Sequence, residues 1–127
     1  MRAEQASPSA ATPRIPAELG AFLKLAEIWN LSSDQQIRLL GSPARSTFFK
    51  WKKEGGLLPA DTRERISHLL AIHKSLTILF PDPQRAAQWV TRENAYWGGE
   101  TARDHMLAGK VADIIDVRRY LDAQRGG

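Results

Sequence analysis

The chain has no cysteine in its 127 residues. Disulfides, thiolate zinc sites and a cysteine nucleophile are therefore excluded, which fits a reducing compartment. No apolar run approaches the roughly 20 residues that a membrane-spanning helix needs. The first residues lack the apolar core of a secretory signal. A soluble protein of the cytoplasm is expected. Strand alternation of useful length is missing, and there is no internal repeat. No Gly-rich phosphate loop follows a strand, and there is no nucleophile elbow. An enzyme is not expected, and neither is a cofactor.

What remains is a helical, mildly basic protein. Hydrophobic residues make up 43% and charged residues 25%, a balance typical of globular chains. The formal net charge is +4 and the pI about 9.8, which suits a nucleic-acid partner among many others, so local clustering must decide. Residues 1–16 are rich in Ala, Ser and Pro and poor in large apolar side chains; a flexible arm is expected there. From Ala17, Leu19, Phe22, Leu23, Ala26 and Trp29 recur at helical spacing. Ser33 and Gln36 have the form of a capping box for a short helix carrying Ile37 and Leu40 and stopping at Gly41. Ser42 and Pro43 then suit the start of a third helix, which ends at Gly55-Gly56. A long helix opens at Pro59-Ala60-Asp61, with Ile66, Leu69, Leu70, His73, Leu76 and Phe80 on one stripe, until Pro81-Asp82-Pro83 breaks it. Shorter helices are expected around Gln84–Arg92 and Thr101–Leu107. A last one over Val111–Ala123 packs Val111, Ile114, Ile115, Val117 and Leu121. The reading is all-α, with about seven helices and a mobile terminus from Gln124.

The strongest local signal lies between Ser33 and Lys53. Two short helices meet at Gly41-Ser42-Pro43, a turn suited to a helix-turn-helix, although about one residue longer than the tightest ones. The second helix reads Ala44-Arg45-Ser46-Thr47-Phe48-Phe49-Lys50-Trp51-Lys52-Lys53. Phe48 and Trp51 share a face that can anchor it. Arg45 can pair with a guanine edge or grip phosphate, and Ser42, Ser46 and Thr47 can bond bases or backbone. Lys50, Lys52 and Lys53 would lie near phosphates. From Gln36 to Lys53 there are five basic residues and no acid. The same residues also fit a solvated basic face on an ordinary helical domain.

Other polar residues point nowhere in particular. His68 and His73 stand five apart and share no helical face suited to a metal, and His105 is distant in sequence; no metal site is expected. Asp113 and Asp116 read as surface charges or partners of Arg119 and Arg118. Trp29, Trp51 and Trp89 read as core or interface anchors. Trp97, beside Gly98 and Gly99 in a turn, fits either a partner contact or a lid over the core.

Leu39-Leu40-Gly41 followed by Arg45 to Lys52 resembles the helix-turn-helix of the Xre/MbcA/ParS antitoxins. The likeness continues through Arg63, Arg65-Ile66, Leu69-Leu70, Ile72, Leu76 and Leu79-Phe80. It then runs through Ala87 to Val90, Asn94, Gly98 to Thr101, Met106 and Gly109. It covers about Leu19 to Leu121, and the ordered set carries it rather than any single motif. One departure is Ala102, where family members commonly have proline. The resemblance implies an N-terminal helix-turn-helix bundle (17–58) and a small helical toxin-binding and dimerisation domain (59–127). It implies a RES-domain toxin as partner, one that consumes NAD or ADP-ribosylates a target, and operator DNA bound by a homodimer within a toxin–antitoxin hetero-oligomer. Toxin contact is then expected from Trp97, Gly98 and Gly99 and from Arg118, Arg119, Tyr120, Gln124, Arg125, Gly126 and Gly127. A terminus of Arg125 and two glycines offers a cation and close backbone approach to a toxin cleft. The alternative is a stand-alone helix-turn-helix repressor without a toxin.

Overall fold

The computed structural model describes residues 15–126. Most of the expected N-terminal arm, and Gly127, lie outside the described residues. Ile15, placed with the arm by composition, is half-buried against the core. The described chain is all-α. Its seven α-helices are α1 (Ala17–Ile28), α2 (Ser33–Leu39), α3 (Arg45–Glu54), α4 (Ala60–Leu79), α5 (Pro83–Trp89), α6 (Ala102–Met106) and α7 (Val111–Gln124), with a 3₁₀ turn at Ala95–Trp97.

α1 buries Leu19, Phe22, Leu25 and Ala26, and Trp29 follows them inward. Leu23, expected inside, is half-buried, and Leu25 takes the interior position. Asn30 ends the helix at φ +54°, and Leu31 N–H returns to the Ala26 carbonyl at 2.8 Å, closing a Schellman turn. That turn buries Leu31 and makes Ser32, not Ser33, the extended residue before α2. The capping box is accordingly Ser32 with Gln35: Gln35 N–H donates to Ser32 Oγ and Ser32 N–H to Gln35 Oε1. Gln36 instead donates its amide to the Leu31 carbonyl.

α2 also ends in a Schellman turn. Gly41 N–H bonds the Arg38 carbonyl, and Ser42 N–H bonds the Ile37 carbonyl at 2.9 Å. Ser42 thus belongs to the end of α2, at φ +57°, and does not cap α3. The N-cap of α3 is Ala44, which offers no side-chain cap, and Pro43 lies in the connecting turn rather than in the helix. Phe48 and Trp51 are buried as their spacing implied.

α4 packs against α1, α5 and α7, and α6 packs against α7. Because α4 is covered from more than one side, its buried set is wider than a single stripe. Ile66, Leu69, Ile72 and Leu76 are buried together with Thr62, Arg65 and Ser75. Leu70, His73 and Phe80, expected inside, are half-buried. Burial lowers the pKa of His73 below its ordinary value. Asp82 accepts from Gln84 N–H and starts α5, with Pro83 in its first turn. Thr101 Oγ1 caps α6 from Asp104 N–H at 3.0 Å, so this helix starts cleanly with Ala102 where proline is common. α7 buries Ile114, Val117 and Leu121, leaves Val111 and Ile115 half-buried, and continues through Gln124, past the expected start of the terminus.

Candidate functional site

The helix-turn-helix is α2, the turn Leu40–Ala44 and α3. Its geometry is fixed from behind. Thr62 Oγ1 on α4 donates to the Leu40 carbonyl at 2.9 Å, and Leu39, Leu40, Phe48 and Trp51 are sunk in the core. The outer surface of α3 is then set by helical spacing: Arg45, Phe49 and Lys53 form one row, and Ser46 and Lys50 the next. Ser42, Arg45, Ser46, Lys50 and Lys53 are exposed; Thr47 and Lys52 are half-buried. Arg45 is not a free cation. Its guanidinium pairs with the exposed carboxylate of Asp34 on α2 and stands 5.2 Å from the Phe49 ring centroid. The Lys52 ammonium lies 5.3 Å from the Phe48 ring and 5.4 Å from the Phe49 ring. Phe49, 39% exposed, therefore sits between two cations, a role its position in the sequence did not announce. Arg38, counted in the basic run, is turned away: its Nε donates to the Leu107 carbonyl.

A second constellation lies beyond α4. Trp97 stacks on His105 at 4.7 Å between centroids and meets Tyr120 at 5.6 Å; Tyr96 lies 4.6 Å from Trp97 and 4.5 Å from Tyr120. Trp89 stacks on Tyr120 at 6.0 Å. Trp97 and Tyr120 are thus brought together, with Tyr96, Trp89 and His105, which the sequence reading had not assigned to this surface. The signal available was four aromatics spaced irregularly over two helices and one turn. The segment from Asn94 to Glu100 is closed by Asn94 N–H donating to the Glu100 carbonyl at 3.0 Å. Gly98 (φ +70°) and Gly99 (φ +91°) form its exposed tip.

The remaining partner-face candidates disperse. Arg118 is drawn onto α4, with Nη1 at 2.9 Å from His68 Nδ1, and pairs with Asp122. Arg119 is exposed. Arg125 donates to Ser75 Oγ at 3.2 Å, so the terminus is held to α4 as far as that residue; Gly126 N–H bonds the Ala123 carbonyl. Of the two readings of Asp113 and Asp116, surface charges or partners of Arg119 and Arg118, the pairing is not formed. Asp113 caps α7 by accepting from Lys110 N–H, and Asp116 meets His105 Nε2 at 3.2 Å. His105, distant in sequence, thereby joins both aspartates in a cluster whose ligand atoms lie within 4.8 Å of one another.

The two surfaces are joined by arginines. Arg65, only 8% exposed, donates to Asp61 at 2.9 Å and to the Gly109 carbonyl at 3.0 Å. With Arg38 on the Leu107 carbonyl, this ties the α6–α7 loop to the back of α2. Among the described residues no helix is long and apolar enough to cross a membrane.

Residues 9–71 match the family described as the antitoxin Xre-like helix-turn-helix domain. Residues 75–127 match the antitoxin Xre/MbcA/ParS C-terminal toxin-binding domain. The chain is also 60% identical over 121 residues to the uncharacterized protein y4oB of Sinorhizobium fredii (strain NBRC 101917 / NGR234). That alignment covers 95% of this chain and 94% of the relative.

Proposed function

The chain belongs to the Xre/MbcA/ParS antitoxins, and from that premise we propose that it neutralises a RES-domain toxin that consumes NAD or ADP-ribosylates a target. It does so by occluding the toxin's active site and not by catalysis of its own. It also represses its own operon, as a homodimer within a toxin–antitoxin assembly in the cytoplasm, since one helix-turn-helix reads a half-site. Residues 17–58 supply DNA binding and 59–127 toxin binding.

The observation that supports this most is the exposed row on α3. A helix anchored by Phe48 and Trp51 presents Arg45, Ser46, Lys50 and Lys53 outward, in the same chain as a toxin-binding domain. In this reading Ser42, Thr47 and Lys52 complete the DNA face. The toxin face uses Trp97, Gly98, Gly99, Tyr120 and Arg119, and the segment from Gln124 to Gly127 adds to it. Arg118 and Arg125, bonded to α4, contribute by holding α7 in place.

The test is co-expression with the protein encoded beside it, followed by affinity capture and a cellular NAD assay. Capture, with NAD lost only when this chain is omitted, is the expected result. Neither capture nor toxicity would leave a repressor without a toxin. Truncation after Ala123 tests the terminus: neutralisation should weaken, and full neutralisation would remove Gln124 to Gly127 from the toxin face.

A further inference from the structure

Two cavities open side by side where α4 ends. One, of about 290 Å³, lies among Leu79, Phe80, Trp89, Tyr120, Leu121 and Gln124. The other, of about 190 Å³, lies among Phe80, Arg85, Trp89 and Arg92. They share Phe80 and Trp89, so they are two ends of one groove: five of the six side chains at the first end are aliphatic or aromatic, and the second end adds two arginines. The first end lies at the lower edge of the size range of small-molecule pockets, roughly 300 Å³, and has room for a large apolar side chain. At the cationic end the Arg85 guanidinium lies 6.0 Å from the Phe80 ring centroid. A guanidinium over a ring uses its π face, and its N–H donors, which lie in the guanidinium plane, still need acceptors. Arg85 and Arg92 are both exposed, and no carboxylate among the described residues pairs with either.

We propose that this groove is a docking site for an acidic–apolar peptide segment of the toxin: one apolar side chain enters between Phe80, Trp89 and Leu121, and a neighbouring carboxylate is gripped by Arg85 and Arg92. The proposal rests on the antitoxin reading and adds to it the place and the chemistry of the contact. Charge complementarity selects the occupant. A guanidinium fits the planar carboxylate bidentately, and the aromatic and aliphatic end beside the two arginines suits a peptide side chain better than a sugar-phosphate backbone. The groove abuts the aromatic cluster through Trp89 and Tyr120, which would make it continuous with the Trp97-Gly98-Gly99 turn as a single partner face.

The test uses the full chain and the neighbouring gene's protein as probe. Arg85→Glu/Arg92→Glu reverses the cationic end, and Gln124→Trp fills the first end from an exposed position. Both should keep the helical circular-dichroism spectrum and bind operator DNA within about twofold of the wild type. Both should bind the toxin at least tenfold more weakly, and the wild-type complex should weaken with salt. If the wild type captures the toxin and both variants capture it equally well, the groove proposal is overturned while the antitoxin reading stands. If the arginine variant loses DNA and keeps the toxin, the occupant is nucleic acid and the proposal is equally overturned. A wild type that captures no toxin would sink the antitoxin reading itself, and this inference with it.

Discussion

Gly41 stands at φ +100°, and a Cβ built there would meet Asp61 Oδ2 at 2.7 Å and Arg65 Nε at 3.2 Å. The position needs glycine twice over, for its backbone and for the close approach of the Asp61–Arg65 pair. Gly41→Ala should lower stability by about 1–3 kcal/mol in urea unfolding, with the larger values if Arg65 loses the Gly109 carbonyl as well. His73 makes a pH prediction. Burial lowers its pKa in the folded state, so below the ordinary value near 6.5 the unfolded chain binds more protons than the folded one. Its contribution is fully present above that pH and is lost as pH falls through the depressed folded value. Urea midpoints measured from pH 8 to pH 5 should therefore fall more steeply for the wild type than for His73→Gln.

At the scale of the element, α3 separates two kinds of contact. Arg45 is pre-set by Asp34 and Phe49, and a planar guanidinium held in place suits a base edge. Lys50 is exposed and has no such partner among the described residues, which suits phosphate. Arg45→Ala should cost about 1–3 kcal/mol on the operator and relax sequence preference at one position. Lys50→Ala should weaken all sequences alike and reduce the slope of log affinity against log salt by about 0.9. Binding isotherms on operator and scrambled DNA across a salt series distinguish the two, and equal effects of both variants on both DNAs would remove Arg45 from base recognition.

For the whole molecule the deciding element is α4. It packs on α1 in one direction and on α7 in another, and Arg65 and Arg38 tie the α6–α7 loop to it and to α2. The proposed division at residue 58 is thus one of roles laid over a shared core. A fragment of residues 1–58 should lack a cooperative urea transition, because α1, which buries Leu19 and Phe22, loses α4, the helix it packs against, whereas the full chain should unfold in one step. A folded, cooperative fragment would show that the first three helices close a core of their own.

Local chemistry determined much of this protein. Apolar spacing gave the helices, Pro81-Asp82-Pro83 and Gly55-Gly56 gave their ends, and the acid-free run from Gln36 to Lys53 singled out α3, because these signals act over one or two turns of chain. The Ser32 box and the left-handed Ser42 were missed by a residue or two, since Schellman turns at Asn30 and Gly41 set where each following helix begins. Only the tertiary structure decided what long-range approach controls. It turned Arg38 to Leu107, set Arg45 against Asp34, buried Arg65 on Gly109, and gathered Trp89, Tyr96, Trp97, His105 and Tyr120 onto one face. The most distant of those partners lie 69 residues apart in the chain, and side chains so separated meet only once the helices pack together, which no local pattern encodes.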